Sequence, residues 1–144
     1  MFQIIRRLRR GTRGQGLVEF ALILPMLIFV MFAFWELSRA FNMYQTITRA
    51  AREAARTYVV ANGIDSQAEI EAVADNILLS SALDPDQAQI THWPAGMVTD
   101  PGEQYSIQIA YPFDFALLRA IQAIQGDVAW DPIMLTRLVT MRKE

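Results

Sequence analysis

Between Leu17 and Trp35 the chain reads LVEFALILPMLIFVMFAFW, 19 residues with one charge, Glu19, and one proline, Pro25. A run this apolar does not suit the half-wet surface of a small domain. As a helix it is long enough to cross a hydrocarbon core of about 30 Å, because a helix satisfies its own backbone hydrogen bonds. The rest of the chain has to be organised around it.

The flanks orient the span. Ahead of it stand Arg6, Arg7, Arg9, Arg10 and Arg13, with no acid before Gly16. After it come Glu36 and Arg39, then no further basic residue until Arg49. A basic arm on its own is compatible with nucleic acid, an anionic membrane surface or topology control. Arginines that abut a span read as topology determinants, so no nucleic-acid partner is expected. The bias predicts a cytoplasmic N-terminus, a single pass and a C-terminal body on the outer side of the cytoplasmic membrane. Conventional signal-peptidase cleavage would need small residues just past the run. FAFWELSRA offers bulky ones instead.

Glu19 is the anomaly. A carboxylate at the centre of a span costs about 2.5–3.5 kcal/mol, and less near its edge. At headgroup depth Glu19 stays wet. Deeper in, it needs a partner or a function. Pro25 removes one backbone donor and favours a kink, which transmembrane helices tolerate.

No breaker follows from Glu36 to Ala61, and Asn62-Gly63 reads as a C-terminal stop. The helix is therefore expected from about Leu17 to Ala61, roughly 68 Å at 1.5 Å per residue. Its outer half carries a stripe of Leu37, Phe41, Tyr44, Thr48, Ala51, Ala55 and Tyr58 at three- or four-residue spacing. Arg49, Glu53 and Arg56 are spaced to pair on the opposite side. Arg49, Arg52 and Arg56 share one flank, which is either a solvated face or a docking face for acidic neighbours.

Beyond the stalk, Ser66-Gln67-Ala68-Glu69 has the form of a capping box. Ile70, Val73, Ala74, Ile77 and Leu78 predict a second amphipathic helix ending near Ser80. Short strands are expected at Gln89–Trp93, Tyr105–Tyr111 and Ile133–Arg142, the last interrupted by Arg137. Phe113–Gln125 reads as a helix closed by Gly126. The fold class is α+β: a long N-terminal transmembrane and stalk helix with a small antiparallel-sheet outer domain packed on it. The segments are a basic leader (1–14), a transmembrane helix (15–35), a stalk helix (36–62) and an outer α+β domain (63–144).

Catalysis is not expected. With no cysteine and a single histidine, His92, thiol nucleophiles, disulfides and Cys- or His-rich metal sites are excluded. No phosphate loop, nucleophile elbow or zinc-protease helix occurs. Asp84 and Asp86 flank Pro85 and read as a solvated turn rather than a cation site. Asp114, Asp127 and Asp131 read as caps or turn residues, and His92 as a sheet residue. No metal and no cofactor is expected.

One string carries further information: Arg13-Gly14-Gln15-Gly16-Leu17-Val18-Glu19-Phe20-Ala21, followed by Pro25. It resembles the start of TadE-like proteins, the minor pilins (pseudopilins) of tight-adherence, or Flp-type, pili. The Arg49-Ala-Ala-Arg52-Glu-Ala-Ala-Arg56 run is similar to the stalk segment of that family. The resemblance covers residues 10–60 well and the remainder loosely. Many members carry a cysteine pair in the outer domain, and this chain has none, so a bridge-dependent role does not carry over.

The resemblance implies a structural subunit of a type IV pilus or related secretion system. A prepilin peptidase would cut between Gly14 and Gln15, with Phe20 part of the signal. Glu19 would then pair with the new amine of Gln15, and Pro25 would give the helix a kink. The implied partners are other pilin or pseudopilin subunits, the peptidase, the inner-membrane assembly platform and, before assembly, membrane lipid. Flp major pilins are usually shorter than this chain, which favours a minor subunit. A major subunit, or an uncleaved single-pass anchored binding domain, are the alternatives.

Overall fold

The first element, α1, runs unbroken over Thr12–Val60 through Pro25. The computed structural model describes residues 12–60, 66–95, 100–125 and 131–143, and the side chains of all of these except 12, 13 and 125. The order after α1 is α2 (Gln67–Ser80), a 3-10 turn (Pro85–Gln87), β1 (Gln89–Trp93), β2 (Gln104–Phe113), α3 (Ala116–Gln125) and β3 (Ile133–Arg142). The fold is the α+β arrangement expected: a long apolar N-terminal helix, further helices and a small antiparallel sheet. The chain divides into two compact units, Met1–Ser38 and Arg39–Glu144.

In the first unit, α1 starts at Thr12, five residues before the expected Leu17, so the Gly14–Gln15 bond lies in its first turns. Ser38 Oγ donates to the Phe34 carbonyl one turn back. Thr46, Thr48 and Thr57 do the same further along α1. Such back-bonding satisfies each hydroxyl without interrupting the helix. The Asn62-Gly63 stop signal lies outside the described residues.

In the second unit, three antiparallel strands pair in the order β1-β2-β3. Alternation along β2 places Tyr105, Ile107, Ile109, Tyr111 and Phe113 on one buried face. Opposite them in β3 stand Met141, Val139, Arg137, Leu135 and Ile133, in that order. Pro112 is tolerated because β1 ends its pairing at Ala110, leaving β2 a neighbour on one side only.

The sheet packs on an alanine face of α1 made by Ile47, Ala50, Ala51, Ala54, Ala55 and Tyr58, with Ile70, Ala74 and Leu78 of α2 completing the core. The expected stripe holds at its outer end, where Ala51, Ala55 and Tyr58 are buried, and fails at its start, where Leu37 and Phe41 are exposed and Tyr44 and Thr48 half-buried. Ile47, Ala50 and Ala54, which the stripe did not include, complete the buried face. Small side chains at each turn suit a helix packed against a sheet, because larger ones would hold it off.

Two local expectations also shift. Ser66 occupies the N-cap of α2, but its side chain makes no capping bond, so the expected box is not closed. Gln67 Nε2 donates to the Ala95 carbonyl instead. Phe113 ends β2 rather than opening a helix, and its ring meets Phe115 edge-on at 4.9 Å.

The C-terminus of α2 is closed by a motif the sequence did not advertise. Leu83 N–H donates to the Leu78 carbonyl at 2.9 Å, and Ala82 N–H to the Leu79 carbonyl at 3.0 Å. This is the double bond of a Schellman cap, and Ala82 takes the left-handed φ of 58° that glycine normally occupies. The half-buried Leu83 side chain anchors the turn against the core.

Candidate functional site

The N-terminal helix is exposed along nearly all of its apolar length, Phe32 being half-buried. Its most apolar 18-residue window has a mean hydropathy of 2.6, and none of that window is buried. Leu17, Val18, Phe20, Leu22, Ile23, Met26, Ile28 and Phe29 are each more than half exposed. Burying one such side chain is worth about 1.5–3 kcal/mol. A belt of them is stable only against lipid or against other apolar helices.

Gly14 and Gly16 sit in the first turns of this helix. Among the described residues, a Cβ built at either position meets nothing beyond the local helix backbone within 4 Å. Each glycine weakens a helix by about 1 kcal/mol relative to alanine, and packing within this chain gives no reason for either. Glu19 is exposed, and its Oε1 accepts a hydrogen bond of 3.0 Å from Gln15 Nε2 one turn earlier. Gln15 and Glu19 therefore lie on one stripe of α1. Phe20 is exposed next to Glu19, and Pro25 lies inside the helix. Arg6, Arg7, Arg9, Arg10 and the side chain of Arg13 lie outside the described residues.

Further along α1, Arg49, Arg52 and Arg56 are exposed. The expected pairing of Arg49 and Arg56 with Glu53 is not made, and no ion pair of these arginines occurs among the described residues. Extended side chains on a solvated helix gain little from closing such a pair, which explains its absence. Phe41, Tyr44, Gln45, Thr48, Arg49, Arg52 and Glu53 line a shallow open groove of about 590 Å³. Several other cations of this unit are engaged, whereas Arg142 is exposed and makes no ion pair among the described residues. Arg39 stacks over Phe113 and Lys143 over Tyr58, each 5.4 Å from the ring centre. Arg137 Nη1 donates to Tyr44 Oη at 3.2 Å, while its buried Nε has no partner among the described residues.

The strongest buried polar network surrounds His92. Its Nε2 lies 2.9 Å from Glu71 Oε1, and its Nδ1 bonds the Tyr105 hydroxyl. The Glu71 carboxylate accepts from the Nε2 side of the ring, and Nδ1 and the Tyr105 hydroxyl bond to one another. Burial, the neighbouring Tyr58 and the Glu71 charge together push the Tyr105 hydroxyl well above the ordinary tyrosine range, keeping it protonated. Two strands and α2 meet at this point, which makes the network a cross-brace of the fold. Sequence reasoning placed His92 in the sheet but found neither partner, because Tyr105 read as an ordinary inward residue and Glu71 as a polar helix position. Tyr105→Phe strands the buried Nδ1 and is expected to cost about 1–3 kcal/mol. Thermal denaturation of the full chain in detergent would read this as a lowered Tm, and an unchanged Tm would contradict it.

The remaining acidic residues serve turns. Asp84 Oδ1 accepts from Asp86 N–H, and Asp84 Oδ2 accepts from Gln87 Nε2, capping the 3-10 turn. Asp114 pairs with Arg119 at 2.6 Å, and Asp131 is exposed. Asp127 lies outside the described residues. Among the described residues no three acidic or histidine side chains are gathered as a metal site would require.

These features define a class: an apolar N-terminal helix long enough to span a membrane, with a small α+β unit following it. Within that class, residues 14–56 match the family model described as TadE-like protein. The match covers the N-terminal helix from Gly14 to Arg56, and it supports the TadE-like resemblance and a Tad pilus-associated protein at that level. No curated protein and no solved structure matches the chain.

Proposed function

We propose that the chain is a pilin-like structural subunit, a minor pilin or pseudopilin of a tight-adherence pilus or related secretion system, without catalysis of its own. The observation that carries this reading is the exposed apolar belt of α1 lying directly behind Gly14-Gln15 and Glu19. In the membrane, lipid covers the belt. In a filament, neighbouring α1 helices cover it.

Prepilin peptidase cuts between Gly14 and Gln15 in this reading. Two glycines weaken the first helical turns, and the absence of a Cβ lets the backbone enter a narrow protease site. Cleavage removes all five leader arginines and with them the cationic anchor. It creates an α-ammonium on Gln15, one turn from Glu19, whose carboxylate already accepts from the Gln15 side chain. Glu19 then offsets that ammonium in its own or a neighbouring subunit, which fixes the axial stagger, because only one register brings the charges together. Phe20 belongs to the signal read with Glu19, and Pro25 supplies local flexibility as the helix leaves the bilayer. The N-terminus is cytoplasmic and the unit beyond α1 is outside; after assembly the subunit is part of an extracellular pilus. Its partners are other pilin subunits, the peptidase and the inner-membrane assembly platform.

Intact mass and N-terminal peptide mapping of the chain recovered from the producing cell's envelope test this reading. A chain starting at Gln15 is expected. A chain still starting at Met1 would overturn it in favour of a permanently anchored domain.

A further inference from the structure

Two groups of like charges lie at the surface of the unit Arg39–Glu144. One is the arginine face of α1. Arg49, Arg52 and Arg56 fall at i, i+3 and i+7, a row about 10 Å long. They are exposed, without an ion pair among the described residues, and Arg49 and Arg52 line a groove that also holds Phe41 and Tyr44.

The other set lies on α2 and the turn after it. Glu71 and Asp75 are one turn apart on α2, and Asp86 is close enough that both repel the Asp75 charge. Partial burial and this repulsion raise the Asp75 carboxyl above its ordinary range. Glu71 reaches His92, whereas Asp75 and Asp86 have no ion-pair partner among the described residues. Asp86 sits on the exposed Asp84–Gln87 turn with Pro85 beside it.

We propose that the Arg49–Arg52–Arg56 face and its groove receive the Glu71–Asp75–Asp86 patch of a second copy of this chain, head to tail. Three arginines, with Glu53 among them in the groove, would face three carboxylates, of which Glu71 also holds His92, so the contact is attractive overall, and Pro85 offers an apolar contact for Phe41. The two surfaces are different patches of one molecule. Their contact is therefore heterologous, and every copy that uses its basic face still presents an acidic one. Repetition of such a contact builds an open helical array rather than a closed dimer. Charge complementarity of this kind sets register and partner choice more than raw affinity, and it weakens as salt rises. The inference rests on the subunit reading above and adds the surface by which successive outer units would meet.

Crosslinking tests it directly, because the chain has no cysteine of its own. Two differently tagged full-length chains are co-expressed in the producing cell, one with Arg52→Cys and one with Asp86→Cys, and its membranes are oxidised. Both positions are exposed, so neither change disturbs the core. A mixed-tag disulfide dimer is expected, in roughly tenfold or greater excess over same-tag dimers. Adding Arg49→Glu and Arg56→Glu to the first chain should abolish that excess, and Asp75→Lys in the second should restore part of it. Same-tag dimers of Arg52→Cys without mixed ones would overturn the head-to-tail contact in favour of a symmetric one. Absence of any mixed dimer also overturns it. A parallel pair of Leu22→Cys chains separates the two readings: α1–α1 crosslinks without the mixed dimer leave the subunit reading standing, and loss of both removes it as well.

Discussion

Replacing Gly14 by valine is expected to leave the chain uncut, so that it accumulates with Met1 at its start. Among the described residues, nothing beyond the local helix backbone lies within 4 Å of a Cβ at this position, so the helix accepts the side chain without a clash. Any loss of processing is then the protease's response, not a folding defect. Forcing a branched side chain into a close-fitting site costs about 1–3 kcal/mol, which in a transition state converts to roughly 5- to 150-fold slower cleavage. Immunoblotting of the two chain lengths after a pulse of synthesis measures it directly. Cleavage at the normal rate would show that Gly14 is not the residue before the cut bond. Gly16→Val serves as the comparison, because it restores helix propensity in the same turns without touching the bond.

Glu19→Gln separates cleavage from assembly. Glutamine keeps the shape and can still bond Gln15, but it cannot neutralise an ammonium. Processing is expected at the normal rate, and membrane insertion should be no worse, since a charge has been removed from the apolar run. Assembly should fail. Breaking a buried ion pair by removing one partner costs about 3–5 kcal/mol, a penalty of roughly 150- to 5,000-fold on the packed state. The readout is the ratio of chain in the sheared surface fraction to chain in the membrane. An unchanged ratio with normal cleavage would remove Glu19 from the assembly contact and leave the cleavage site intact.

Much of the architecture was legible because each element carries its own pattern. The apolar run is unambiguous at any depth of burial. Strict alternation from Tyr105 to Tyr111 encodes one buried face of β2, and β3 matches its expected span, Ile133–Arg142. Arg137 reads as an interruption in a one-dimensional pattern. In the sheet it faces inward and reaches Tyr44, 93 residues away. The packed face of α1 was legible in part: Ala51, Ala55 and Tyr58 of the expected stripe are buried, whereas Ala50 and Ala54, small residues off that stripe, are buried as well and Leu37 and Phe41 are not. The Ala82 cap and the His92 network escaped for want of a local signal. The first uses a residue that normally avoids positive φ, and the second joins Glu71, His92 and Tyr105 from three separate elements.

The sequence by itself determined that this chain has one helix able to cross a membrane, with Gly14, Gln15 and Glu19 at its start. Those properties depend on local hydropathy and on spacing along a single helix, which no fold can alter. Only the tertiary structure decided that Ile47, Ala50 and Ala54 join Ala51, Ala55 and Tyr58 under the sheet while Leu37 and Phe41 stay outside it. It alone also brought Asp86 beside the carboxylates of α2. Burial and the proximity of distant charges depend on how elements pack, and packing is a property of the whole core rather than of any one segment.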